Sequence, residues 1–152
     1  MIGKKELAVA ALQNGTVIDH IPSNKLFEVI SLLGLQDLKS TVMIGYNLVS
    51  QKMGNKSLVK IADRYFSDAE LDRLAVVAPN VNLSIIKDFN VVEKRQVRLP
   101  QDIVGVVKCG NPKCITNNEP MKTRFHVSEK NSEVICCHYC SREQVLDKVK
   151  LV

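Results

Sequence analysis

The spacing of apolar and polar positions along the chain changes several times, and each change marks an element. Leu7 to Leu12 and Thr16 to Ile21 are apolar, β-prone stretches on either side of Asn14-Gly15, a dipeptide suited to a tight hairpin turn. Beyond Pro22-Ser23 the period lengthens. Leu26, Ile30 and Leu33 recur at helical spacing, Phe27 and Val29 widen that apolar face, and Gly34 is placed to end the helix. Thr41 to Val49 and Lys56 to Ala62 read as strands flanking a polar connection at Gly54-Asn55.

A second helix carries its own start signal. Ser67 and Glu70 have the S-x-x-E spacing of a capping box, Phe66 and Leu71 stand at hydrophobic-staple positions, and Pro79 follows the last apolar residue, Ala78. Val81 to Ile86 and Phe89 to Val97 supply one or two further strands. The order β-α-β-β-α-β predicts an α+β, ferredoxin-like antiparallel sheet with both helices on one face. Arg95 to Asp102 is charged and contains Leu99-Pro100, so it reads as a connection, and the chain divides into 1–100 and 101–152. The second part is expected to be small and all-β, with short strands over Ile103 to Lys108, Arg124 to Val127, Glu133 to Cys137 and Val145 to Leu151.

A segment of about 50 residues buries too little apolar surface to offset its chain entropy easily, and the cysteines suggest what compensates. All five lie within the segment 109–140, and four of them, Cys109, Cys114, Cys137 and Cys140, are spaced C-x4-C-x22-C-x2-C. Such a set reads as a structural zinc site, closed to water and substrate, in preference to disulfides or buried thiols. Gly110, Asn111 and Pro112 supply turn residues for the first loop. Cys136 could compete with Cys137, but the two-residue gap to Cys140 favours Cys137 and leaves Cys136 on the opposite strand face.

The formal charge of +5 falls to about +3 once four thiolates hold a divalent ion, and neither half carries a concentrated basic stripe. With no Trp and few other aromatics, base-stacking platforms are scarce, so no nucleic-acid partner is expected. Lys4 and Lys5 precede an apolar run too short for a signal peptide, and no stretch approaches membrane-spanning length. Reduced thiols and no export signal predict a cytoplasmic protein without a membrane partner.

Candidate chemistry in the first part is sparse. Asp19-His20 sits at a strand end, where it is either a solvated loop pair or part of a ligand site. Lys60 shares a strand face with Leu58 and Ala62, as a snorkelling edge amine or as a ligand contact. Lys94 ends another strand. Together these groups could bind an anionic ligand bearing hydroxyls, with amines meeting phosphates and Asp19 accepting from a sugar. No nucleophile motif, P-loop or dinucleotide fingerprint accompanies them, which argues against an enzyme.

Gly15-Thr16-Val17-Ile18-Asp19-His20-Ile21-Pro22 closely resembles a signature of the regulatory chain of aspartate carbamoyltransferase. The similarity continues through Met53-Gly54, Lys56, Leu58, Lys60-Ile61, Ala78-Pro79, Val91-Val92, Lys94, Leu99-Pro100 and the cysteine quartet, covering essentially the whole chain. The resemblance implies a noncatalytic subunit with an N-terminal allosteric domain that binds CTP or ATP and a C-terminal domain whose zinc ion orders a surface for the catalytic chain. Homodimers of such chains would bridge catalytic trimers and control the committed step of pyrimidine biosynthesis. By matched position, Asp19 and Lys60 would meet ribose and base, and His20 and Lys94 the phosphates. Leu12, Val17, Ile86, Phe89 and Val91 would line the pocket, and Lys56 would touch a phosphate or a second nucleotide. Asn111, Lys113 and Glu119 would face the catalytic chain. The chain departs from the enterobacterial form at Glu6, Ala10, Ser84 and Phe89, where that form has Lys, Glu, Asn and Tyr. These departures bear on the choice among CTP, ATP and UTP. Lys113 replaces Asn, and one residue is missing between the second and third cysteines, which bears on the contacts with the catalytic chain.

Overall fold

In a computed structural model, which describes residues 11–51 and 54–152, the chain divides into two units at Arg98/Leu99. The strand expected over Leu7 to Leu12 falls largely outside the described residues, as do Glu6, Ala10 and Met53.

The first unit contains β1 (Gly15–Pro22), α1 (Leu26–Leu32), β2 (Val42–Ser50), β3 (Gly54–Ala62), α2 (Asp68–Val77), β4 (Asn82–Lys87) and β5 (Asn90–Gln96). The sheet order is β2-β3-β1-β4-β5, and every neighbouring pair is antiparallel. The first four strands in this order reproduce the ferredoxin-like arrangement, and β5 extends it by a hairpin. Val59 and Ile61 are fully buried while Lys60 between them is not, so alternation along β3 sends the two hydrophobes into the core. Leu26, Val29, Leu71, Leu74 and Ala75 from the two adjacent helices complete that core with Ile18, Ile21 and Leu83. Among the described residues the opposite sheet face carries no helix.

Backbone geometry follows local chemistry. A 3-10 turn over Ser23–Lys25 leads into α1, and Gly34 ends it in the left-handed region at φ 64°. The capping box of α2 forms in both directions: Ser67 Oγ accepts from the Glu70 N–H at 3.3 Å, and Glu70 Oε1 accepts from the Ser67 N–H at 3.1 Å. Phe27 departs from its expected role. It is 66% exposed, with its ring 5.6 Å from that of Tyr46 on β2. Helical spacing placed it beside Val29, but the face it occupies looks past the sheet.

In the second unit β6 (Asp102–Val104), β8 (Arg124–Val127), β9 (Val134–Cys137) and β10 (Glu143–Val145) form a sheet in the order β10-β9-β8-β6. A separate pair joins β7 (Val107–Lys108) to β11 (Lys150–Leu151). Phe125, Ile103, Ile135 and Val107 form its core. Two expected strands are broken. Gly105, at φ 71°, divides Ile103 to Lys108 between two sheets, and a 3-10 turn over Leu146–Lys148 interrupts Val145 to Leu151. Among the described residues no helix is long and apolar enough to cross a membrane.

Candidate functional site

Strand register gathers the candidate residues of the first unit on the sheet face that carries no helix. Lys60 pairs with Val17, Val17 with Ser84, and Ser84 with Lys94. Residues directly opposite in antiparallel pairs share a face, so these four form one row across β3, β1, β4 and β5. Strands lie about 4.8 Å apart, which separates the Lys60 and Lys94 positions by roughly 14 Å. In the next row Asp19 pairs with Asn82, and Asn82 with Gln96.

A register shift between Ile18 and Ile21 re-aims the residues at the end of β1. His20 takes a left-handed backbone, φ 60°, and its N–H donates to Asp19 Oδ1 at 2.7 Å. Lys56 Nζ lies 2.9 Å from Asp19 Oδ1 and 3.1 Å from Oδ2, so the carboxylate is held by an amine from β3. Asn82 Nδ2 lies 3.0 Å from His20 Nδ1. An amide nitrogen only donates, so Nδ1 accepts and the imidazole carries its proton on Nε2, available to a ligand oxygen. Nothing in the sequence singled out Asn82. Its partner is 62 residues away, and only the β1–β4 register reveals the pair.

The apolar candidates frame the same region. Ile86 pairs with both Gly15 and Val91. Leu12 is buried just before β1, whereas Val91 is exposed. Phe89 lies outside any strand, in the β4–β5 turn, where Asp88 and Phe89 both have positive φ as a primed hairpin turn requires. The Phe89 N–H donates to the Gln13 carbonyl at 2.9 Å and the Asp88 N–H to Asn14 Oδ1 at 3.1 Å. These bonds tie the turn to the start of β1 and leave the Phe89 ring 64% exposed.

The second unit holds the cysteine quartet. Cys109 follows β7, Cys114 precedes a 3-10 turn, Cys137 ends β9, and Cys140 lies in the turn to β10. Their sulfurs all fall within 4.8 Å of one another, with Cys109 to Cys140 at 3.6 Å and Cys114 to Cys137 at 3.8 Å. A disulfide needs about 2.05 Å. A tetrahedron of sulfurs around an ion with bonds of about 2.3 Å has edges of about 3.8 Å, so the donor set fits one tetrahedral tetrathiolate ion. Cys136 stands apart, its thiol directed at the Ser141 and Cys137 carbonyls.

Burial pushes the Cys109 thiol up to about 12 and raises Cys137. Burial opposes ionisation of Cys140 as well, but hydrogen bonds from the Arg142 N–H, the Asn111 side chain and the neighbouring thiols bring it down to about 7. The first loop is braced by amides: Asn117 Nδ2 donates to the Cys109 and Asn111 carbonyls, and Asn118 Nδ2 to those of Pro112 and Cys114. Asn111 is half-buried and accepts from the Lys113 N–H, while Lys113 and Glu119 are exposed. A cleft of about 1310 Å³ beside the quartet is lined by Lys108, Lys122, Lys148 and Lys150 together with Val104 and Met121.

Two family models match the chain in succession. The one described as aspartate carbamoyltransferase regulatory chain, allosteric domain, matches residues 7–98. The one described as its metal binding domain matches residues 101–150. The aspartate carbamoyltransferase regulatory chain of Phocaeicola vulgatus is 59% identical, over 98% of this chain and 96% of that one. That of Bacteroides fragilis is 56% identical over 98% and 97%. The archaeal chain of the same name from Pyrococcus horikoshii is 45% identical over 90% and 91%.

Proposed function

Because the chain belongs to the family of aspartate carbamoyltransferase regulatory chains, we propose that the open sheet face of its first unit binds the effectors CTP and ATP. The observation that carries this reading is the cross-strand arrangement of Lys60 on β3, Asp19 and His20 on β1, and Lys94 on β5, with β4 between the last two strands. Lys94 and the Nε2–H of His20 supply positive and donating groups for phosphates, while Asp19 and Lys60 meet ribose and base. Lys56 serves the ribose end by holding the Asp19 carboxylate. Leu12, Val17, Ile86, Phe89 and Val91 enclose the ligand. Ser84, at the centre of the row, is a polar group through which this chain can choose among CTP, ATP and UTP.

The chain itself is noncatalytic, and its family implies a catalytic-chain partner. We infer that the second unit holds one zinc ion on Cys109, Cys114, Cys137 and Cys140. A closed, redox-inert tetrathiolate ion shapes the loop bearing Asn111, Lys113 and Glu119 for docking on that partner. Homodimers would bridge catalytic trimers in the cytoplasm. The edge strand β2 supports self-association, since Ile44, Tyr46 and Val49 are exposed along it beside Phe27. Nucleotide acts by differential affinity for two states of the assembly, typically worth about 1 to 3 kcal/mol, and the coupling is reciprocal.

Calorimetric titration of the zinc-loaded chain with CTP and ATP tests the effector site. Saturable binding that His20→Ala and Lys94→Ala each weaken about tenfold or more, with assembly on catalytic trimer retained, is the expected result. Equal affinity in both variants would remove the phosphate assignment.

A further inference from the structure

Four lysines of the second unit, well separated in the sequence, line one cleft beside the cysteine quartet. Lys108 on β7 stands directly opposite Lys150 on β11. Residues so paired have Cβ atoms about 5 Å apart, and like charges at that spacing repel. Lys122 brings a third amine. Its stem runs across Gly105, with Cδ 3.7 Å from where a side chain at that glycine would begin. Lys148, at the end of the 3-10 turn before β11, brings the fourth. No carboxylate lines the cleft, and none of the four amines forms an ion pair among the described residues. Four thiolates on a divalent ion would give the neighbouring quartet a net charge of about −2, which offsets only half of the four positive charges. Thr123 lines the same cleft and is 5% exposed, and its hydroxyl is buried without a hydrogen-bond partner among the described residues. Native proteins rarely leave such a group unsatisfied. Like charges without counter-charges and an orphaned hydroxyl both call for an acceptor-rich anion.

We propose that this cleft binds a small anion bearing several phosphates and no nucleobase. Ammonium groups are compact point charges that meet phosphate oxygens from any direction. The paired oxygens of carboxylates are gripped best by guanidinium forks, and no arginine lines the cleft. No aromatic ring lines it either, so a base would find no stacking platform. A phosphate between Lys108 and Lys150 replaces their repulsion with two attractions. Lys122 and Lys148 take further phosphates, and the Thr123 hydroxyl donates to an oxygen seated deep in the cleft. The four positions form no basic run in the sequence, and only the β7–β11 register and the turn at Gly105 bring them together.

The test is lysine footprinting of the zinc-loaded full chain. Each lysine is acetylated by an amine-reactive ester and read by mass spectrometry, with and without inorganic triphosphate, and zinc is assayed in every sample. Saturable protection of Lys108, Lys122, Lys148 and Lys150 is expected, with Lys130, exposed outside the cleft, unprotected and zinc content unchanged. Lys148→Gln and Lys150→Gln should each weaken the protection of Lys122 about fivefold or more, while Lys130→Gln leaves it unchanged. Retained zinc in each variant shows that the unit is folded. No protection, protection confined to Lys56, Lys60 and Lys94 on the first unit, or protection that appears only as zinc is lost would overturn the proposal. So would equal protection by a hexaglutamate peptide, which would assign the cleft to an acidic protein segment.

Discussion

At the residue scale, the first unit turns on a few positions whose neighbours come from distant sequence. A Cβ at Gly15 would lie 2.0 Å from the Ile61 carbonyl oxygen, and the backbone there has φ 142°. Gly15→Ala should therefore destabilise the protein by about 3 kcal/mol or more, measured as a lowered denaturant midpoint. Asn82→Ala should behave differently. It removes the donor that fixes the His20 tautomer and should weaken nucleotide binding several-fold with little loss of melting temperature. Asp19, His20, Lys60 and Lys94 were legible in the sequence as polar groups at strand positions, but composition and alternation could not say that they meet. Their roles came from resemblance, and their shared face came from register. Asn82 was illegible for the same reason: one asparagine in a short strand carries no local sign of its partner.

At the element scale, local chemistry was most readable where the interaction spans a few residues. The α2 capping box lies within four consecutive residues and forms as the spacing predicted. Ser67→Ala should cost about 1 kcal/mol in thermal unfolding. Burial acts to raise the pKa of Glu70, but the Ser67 N–H and the Arg64 guanidinium outweigh it and hold the carboxyl below its ordinary value. A lowered folded-state value means that this stabilisation is present above the ordinary glutamate range and lost as pH falls through the folded value. The stability gap between wild type and Glu70→Gln should narrow correspondingly in acid. Where spacing alone decided the assignment, tertiary context intervened. Phe27 has the right period for the core but lies beside Tyr46 in solvent. The run Ile103 to Lys108 has strand composition throughout, yet Gly105 turns it from one sheet into another.

At the scale of the whole molecule, the cysteine quartet brings together the two sheets of the second unit. Cys109 follows β7 of the β7–β11 pair and Cys137 ends a strand of the four-stranded sheet, so the quartet joins the two sheets, alongside the bond from the Gly110 N–H to Gln144 Oε1 on β10. With Cys109 pushed up to about 12 and Cys137 raised, mainly by burial, these two thiols hold their protons at neutral pH when metal-free, and loading must release them. Zinc affinity should fall as pH falls, and the calorimetric heat of loading should vary with the ionisation enthalpy of the buffer. A chelator should unfold the second unit while the far-UV circular dichroism of α1 and α2 persists. On the docking role proposed for the second unit, the same dependence would link regulation to nutrition. In a cell starved of the ion, this chain would then emerge without its docking surface, and the catalytic subunits made beside it would run unsupervised, however much effector had accumulated.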